Sequence, residues 1–314
     1  MKGKTPIAEI QGEPSCTPQL MPFERLALLQ GPSRVRLIDA LVGGKDHYEE
    51  DRQVARAVSA ALPGGAATAK RLFKEDRRFQ VRVCEMLLRR TQVRTFVVCG
   101  ADQWAVDGDP LHKRIQRANS DAVVIYVESE PVIFSHARSE YDTSLNSANS
   151  VVRVVHADIY DPDLLHRLHD MSLPLYRDQP VAVLQCGTLP FVPHGTKWTV
   201  QEITAGLSRT LPDGSFLALT HLCAPEDPDD AETALRAGNE LTAQGLGTRP
   251  FLPQKDIEAL FADLSLVVPH ALTDDRVPVP CPEWYPPGPF RERVATDRFN
   301  LAGVAYKGRP WPHA

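Results

Sequence analysis

The 314-residue chain lacks several things that would have fixed its class at once. No apolar run approaches the ~20 residues of a membrane-spanning helix. The first twenty residues, "MKGKTPIAEIQGEPSCTPQL", lack the continuous apolar core of a secretory signal. The six cysteines (Cys16, Cys84, Cys99, Cys186, Cys223 and Cys281) contain no CxxC pair. That spacing argues against a zinc site and against a compact disulfide framework, so no metal is expected and most of these thiols should be buried and free. Basic residues are not in excess: 35 Lys and Arg stand against 40 Asp and Glu, a net charge of −5. Nothing in this balance points to nucleic acid or an anionic membrane as partner. What is present, 43% hydrophobic and 24% charged residues, is ordinary for a soluble globular protein. The expectation is a cytoplasmic protein acting on a small molecule; the composition is equally compatible with a monomer and a homo-oligomer.

Along the chain the pattern changes once. Residues 1–30 are polar with scattered prolines and read as a flexible tail. "SRVRLIDALVGG" reads as a helix, with Ser33 as N-cap, Val35, Ile38, Leu41 and Val42 on one face, and Gly43-Gly44 as its stop. "KDHYEEDRQVARAVSAAL" starts a second helix, which Pro63-Gly64-Gly65 breaks. A long third one runs from about Ala67 to Arg90, with Phe79, Val83, Met86 and Leu87 on its stripe. Strand candidates then alternate with helical segments: 95–99, 123–128, 152–156, 181–185 and 215–220, separated by 109–118, 130–141, 161–170, 197–211 and 229–244. Nearly all-apolar strands interleaved with helices imply a mostly parallel sheet covered on both faces, an α/β architecture that binds ligand beyond the carboxyl ends of its strands. "SLVVPHALT" and "AGVAYKG" read as an antiparallel edge hairpin, and "VPVPCPEWYPPGPF" between them as too proline-rich for regular structure.

Three loops meet at the carboxyl edge of such a sheet. The first lies in "RTFVVCGADQWAVDGD", where an apolar strand ends at Gly100. The second is "VESEP": a carboxylate there, Glu128, one βα unit after a strand ending in glycine, can accept from both hydroxyls of a ribose. The third is "HADIYDP", where Asp158 either takes an adenine amine or caps the turn near Asp161-Pro162. A fourth segment, "QCGTLPFVPHG", follows a buried strand on a non-helical path set by Gly187, Pro190 and Pro193. His194 within it, and His221 at the end of the fifth strand, are the histidines placed to act as a base.

The chain resembles the S-adenosylmethionine-dependent methyltransferase family abundant in high-GC Gram-positive bacteria. The resemblance rests on "RVRLIDALVGGKDHYEEDRQVA", similar to that family's signature of arginine, short helix, Gly-Gly-Lys-Asp and an aromatic. "IYVESEPVIFSHAR", "VVHADIYDP", "VAVLQCGTLPFVP" and "LAGVAYKG" follow in the family's order, over about residues 30 to 308. It implies a class I methyltransferase, Rossmann-like core over 93–314 and an N-terminal helical segment over 31–92 that covers the active site. It implies S-adenosyl-L-methionine as cofactor, with Gly100, Ala101 and Asp102 in the cofactor loop. The ribose would lie on Glu128 beside Ser129, and the adenine among Pro131, Asp158 and Ile159. Gln185 to Phe191 would face the methionine end and the acceptor, with Lys45, Asp46, Tyr48, Trp104 and Phe191 at the substrate and Tyr48, His194 or His221 taking part in catalysis. The proline-rich loop near 278–288 would border the acceptor.

The chain departs from the family at one place. Members read acid, apolar residue, Gly, Thr, Gly at the end of the first strand; here Val98, Cys99, Gly100, Ala101 and Asp102 stand there. Asp102 could repel the cofactor carboxylate or attract its ammonium, and Trp104 could stack on a ligand or plug the pocket. This leaves a second expectation open, that the fold is kept while the pocket serves a cofactor-independent cyclisation, isomerisation or elimination, and a third, a non-catalytic ligand-binding homologue.

Overall fold

A computed structural model describes residues 31–101, 109–143, 151–171, 173, 175, 179–269, 275–285 and 294–308. The tail expectation for 1–30 and the readings placed on Asp102 and Trp104 lie outside these residues. Pro32–Ala314 form one compact unit. Three helices lead: α1 (Arg34–Val42), α2 (Glu49–Ala61) and α3 (Gly65–Arg90). The core follows as β1 (Thr95–Cys99), α4 (Leu111–Ala118), β2 (Val123–Glu128), α5 (Pro131–Tyr141), β3 (Val151–His156), α6 (Leu164–Asp170), β4 (Val181–Gln185), α7 (Val200–Thr210), β5 (Phe216–Ala224), α8 (Pro228–Ala243), β6 (Leu252–Pro253), α9 (Gln254–Ala259), β7 (Ser265–Leu266), β8 (Val279–Pro280) and β9 (Asn300–Tyr306).

The strands form one sheet in the order β3-β2-β1-β4-β5-β9-β7, with β6 beside β5 and β8 beside β9. The first five run parallel and β9 runs antiparallel to β5. This is the Rossmann-like, mostly parallel α/β sheet that the alternation predicts. The chain order reverses between β1 and β4, which places the switch point, and so the ligand crevice, beyond Cys99 and Gln185. Side chains alternate along each strand. Phe96 and Val98 pack with Phe79, Val83 and Leu87 of α3 on one face; Val97 and Cys99 pack with Leu164, Leu168, Ile203 and Leu207 of α6 and α7 on the other. The stripe Val35, Ile38, Leu41, Val42 is buried as its spacing requires, but most of its members join a third cluster with α2, α8 and Phe191.

The antiparallel edge-hairpin reading is only half met. Of "SLVVPHALT", Ser265–Leu266 alone pair with β9, since Pro269 cannot continue a ladder. The described part of the proline-rich segment, 277–285, is more ordered than its composition suggests. Val279–Pro280 pair with β9, Cys281–Glu283 make a 3-10 turn, and Trp284 is wholly buried edge-on against Phe79, with centroids 5.1 Å apart. Arg82 of α3 donates to the carbonyls of Trp284 (2.9 Å) and Cys281 (2.5 Å), giving that segment partners a neighbouring strand would otherwise supply.

Candidate cofactor and acceptor site

The "GGKD" turn is built around one carboxylate. Gly43 caps α1 in the left-handed conformation (φ 86°), and its N–H, like that of Gly44, reaches the Asp39 carbonyl. A β-carbon on Gly44 would stand 1.8 Å from Asp39 Oδ1, so only glycine lets the chain cross that side chain. Asp39 Oδ2 then accepts from the N–H of Asp46 (2.8 Å) and lies 2.7 Å from His47 Nδ1. A second carboxylate, Asp51, is fully buried and accepts from Ser33 N (3.1 Å), Tyr48 N (2.8 Å) and Arg36 Nε (2.8 Å). Lys45 and Asp46 are exposed; Tyr48 is also exposed, with the Arg36 guanidinium 4.9 Å from its ring centre. The signature is therefore a folding device that ties α1 to α2, and it holds Arg34 at the first turn of α1.

At the sheet edge, Gly100 takes φ 89°, a value side chains rarely adopt, and its N–H continues the ladder to the Val127 carbonyl (2.8 Å). Glu128, 1% exposed, closes β2. Its Oε1 accepts from the N–H groups of Ser129 (2.8 Å) and Glu130 (2.9 Å), and its Oε2 from Ala101 N (2.9 Å). Arg34 Nη2 completes the shell 3.5 Å from Oε2. The guanidinium lies against Gly100, 2.9 Å from where a β-carbon would stand, and the Thr188 methyl closes that space from the other side at 3.3 Å. Burial pushes the carboxyl of Glu130, the residue before α5, above the usual range, while nearby Arg34 opposes that shift.

The segment after β4 is held firmly. Gln185 is buried and uses both ends of its amide: Nε2 donates to the Ile159 carbonyl (2.7 Å) and Oε1 accepts from Thr188 Oγ1 (2.5 Å). Gly187 (φ 66°) donates to Thr220 Oγ1 at 2.8 Å. The Tyr160 hydroxyl shares its proton between the carbonyls of Thr188 (3.2 Å) and Phe191 (3.3 Å). From α3, Asp76 reaches this segment: its Oδ2 lies 3.2 Å from the β-carbon position of Gly187, while its Oδ1 accepts from Asn300 Nδ2 (3.0 Å).

The fold thus brings Gly100, Ala101, Glu128 and Ser129 together with the 185–188 segment, and Pro131 opens α5 directly beyond them. Other expected residues are placed differently. Asp158 is exposed and accepts from Tyr160 N (2.9 Å), the turn-capping role that the sequence left open beside the adenine contact. The Ile159 side chain packs in the core beneath α6 and α7, and Phe191 packs near Phe73 in the third cluster, so neither side chain faces an open crevice. His194 is exposed on the turn after Pro193. His221 is 0% exposed, its Nδ1 lies 2.9 Å from the Leu222 carbonyl, and burial pulls its pKa down to about 4. Thr220, not His221, faces the Gly187 loop, because adjacent strand residues point to opposite faces. Cys84, Cys99, Cys186, Cys223 and Cys281 are free and buried, as the lack of pairing predicts. No group of side chains suited to a metal occurs among the described residues.

Sequence reasoning missed Arg34, Asp76, Tyr160 and Thr188. Two of them left a trace. Arg34 is a charge directly after an N-cap, on a helix otherwise read for its apolar face. Asp76 falls on the buried stripe of α3, three residues before Phe79.

The doubly wound, mostly parallel sheet with its switch point between β1 and β4 is the Rossmann-like fold of the methyltransferase class. The chain belongs to the S-adenosyl methyltransferase family, whose model matches residues 28–308. It is an enzyme of that class, and its cofactor is S-adenosylmethionine. The chain is similar to a putative methyltransferase from Thermobifida fusca, 24% identical over 93% of this chain and 100% of that one, with a TM-score of 0.72. It is also similar to a DUF574-family protein from Streptomyces avermitilis, 23% identical over 88% of this chain and 98% of that one, with a TM-score of 0.72. These two share the fold. No curated protein matches the chain. Among the described residues, no helix is long and apolar enough to cross a membrane.

Proposed function

We propose that the chain methylates a small-molecule acceptor, and that it falls in the branch of its family marked by the Gly-Gly-Lys-Asp turn in high-GC Gram-positive bacteria. The observation that carries the reading is Glu128: a buried carboxylate oriented by three main-chain N–H groups beside Gly100. Such an acceptor-only group suits a vicinal diol. Ser129 and Pro131 border the ribose and adenine side. The bound cofactor supplies an electrophilic methyl group on a sulfonium. The protein's part is alignment and exclusion of water: the Gln185–Thr188 segment is rigid, and α1 to α3 form the cover that carries Arg34 and Asp76 to the edge. Asp76, facing Gly187, is the carboxylate placed to orient an acceptor or take its proton. His194 and His221 are given no role, one being in solvent and the other enclosed. A small acceptor is supported by the net charge of −5 and by a cavity of about 400 Å³ beyond β5, walled by Glu226, Val279, Glu283 and Arg298. Secondary metabolism is the setting that such an acceptor suggests.

Calorimetry with S-adenosylhomocysteine tests this. The folded protein should bind it, and Glu128→Ala should weaken binding about tenfold or more, the loss of one charge-assisted contact. A folded protein with no affinity for it would favour the cofactor-independent alternative instead.

A further inference from the structure

One wall of the cavity beyond β5 is built unlike the rest. Val277, Pro278, Val279, Pro280 and Glu283 line it from the segment 277–285. That segment is barely part of the sheet: only Val279–Pro280 pair with β9, and Pro278, Pro280 and Pro282 have no N–H to give a ladder. Side chains of α3 hold it instead. Arg82 donates to the carbonyls of Cys281 and Trp284. Arg90 takes the far end: its Nη1 donates to the Tyr285 hydroxyl at 2.7 Å, and its guanidinium stands 5.1 Å from the centre of that ring. The main chain adds a bond from Tyr285 N to the Pro269 carbonyl (2.8 Å).

The segment is strained where these contacts hold it. Tyr285 takes φ 45°, in the left-handed region that side chains rarely adopt, and the residue after it in the sequence is Pro286, which disfavours that backbone further. The Trp284 indole is wholly buried, yet its Nε1–H finds no acceptor among the described residues. Backbone strain and an unmet donor in adjacent residues persist only where the surroundings impose them. Both are relieved if the segment moves off α3, and the Arg90–Tyr285 contact that opposes this movement is exposed. The cavity residues Cys223 and Leu301, by contrast, stand on β5 and β9, which pair along their length.

We propose that the 277–285 segment is a strap that opens and shuts the acceptor cavity, latched shut by Arg82 and Arg90 of α3. Its role as a gate rests on the reading of that cavity as the acceptor's place. Because α3 also brings Asp76 to Gly187, one helix joins the latch to the crevice beyond β4.

The strap carries its own reporter. Cys281 is buried while the strap is shut and should react when it opens. Cys84 of α3 and Cys99 of β1 are buried in the core and become accessible only when the protein unfolds. The test is labelling of the folded full chain with N-ethylmaleimide, read by peptide mass spectrometry. In the wild-type protein Cys281 should react at least about tenfold faster than Cys84 and Cys99, as local opening outpaces global unfolding. Arg90→Met should speed Cys281 by about threefold to tenfold and leave the two core thiols unchanged, the loss of one exposed latch. Trp284→Phe, which keeps a ring against Phe79 and removes the unmet donor, should slow it. Labelling of wild-type Cys281 no faster than Cys84 and Cys99 overturns the strap, because the wall then opens only with the whole fold. An equal acceleration of all three thiols in Arg90→Met overturns it too, since Arg90 would then only support the fold. The labelling needs no ligand, so it stands or falls apart from the calorimetry with S-adenosylhomocysteine.

Discussion

Asp51 and Glu128 are both buried carboxylates wrapped in main-chain N–H groups, and each has one arginine. At Asp51 the arginine contact is short, 2.8 Å through Nε, and joins residues of the same small helical unit. At Glu128 it is 3.5 Å and spans 94 residues, from α1 to the sheet edge. The first carboxylate has partners at 2.8 to 3.1 Å and sits between α1 and α2. The second is equally buried, but its arginine contact is the longest of its four and reaches it from α1 across Gly100. Two carboxylates caged in main-chain N–H groups thus differ in where their arginine comes from, the adjoining helix or one distant in the chain, and residue type alone does not distinguish the two.

Removing Asp51 should have the largest effect. Asp51→Ala removes the short acceptor of Arg36 Nε and the acceptor of two main-chain N–H groups, so denaturant unfolding should show a loss of about 3–5 kcal/mol. Cofactor affinity per folded molecule should change far less than in Glu128→Ala; equal losses in both readouts would erase the contrast. Gly44→Ala should act next, by about 1–3 kcal/mol, because its β-carbon forces the Asp39 side chain out of its cage. Stability unchanged by that variant would show that the turn does not depend on Asp39. The smallest effect has the opposite sign. Burial raises the Glu130 pKa, so folding disfavours its ionised form, and the folded state binds the proton more tightly than the unfolded one. The stability lost to ionisation appears as pH rises through the raised value and is absent below the ordinary glutamate range. Glu130→Gln should therefore raise Tm at pH 7 by about 1–2 °C, with the gain fading on acidification. A gain that grows towards low pH would contradict this origin.

Much of the fold was legible because its elements are locally specified. β1, β2 and β4 occupy the very spans their apolar runs mark, and Ser33, Gly43 and the 63–65 break bound the helices as their chemistry predicts. The errors fall where partners are remote. β5 runs on to Ala224 because β9 and β6 pair with it, and the proline-rich 278–285 stretch is ordered because Arg82 and Phe79 of α3 reach it. At the site, Glu128 and Gly100 could be found from strand ends. Arg34 left only the trace of a charge after an N-cap, and its pairing had no local signal, because its partner is 94 residues away.

The sequence by itself determined the alternating sheet, the acid after β2 and the two glycines of the α1 stop, since apolar period, strand-end position and left-handed backbone are properties of neighbouring residues. Only the tertiary structure decided that Arg34 lies on Glu128, that Asp76 faces Gly187 and that His221 is sealed away. Those facts depend on which distant elements meet at one sheet edge, and burial and charge pairing across such contacts have no local signature.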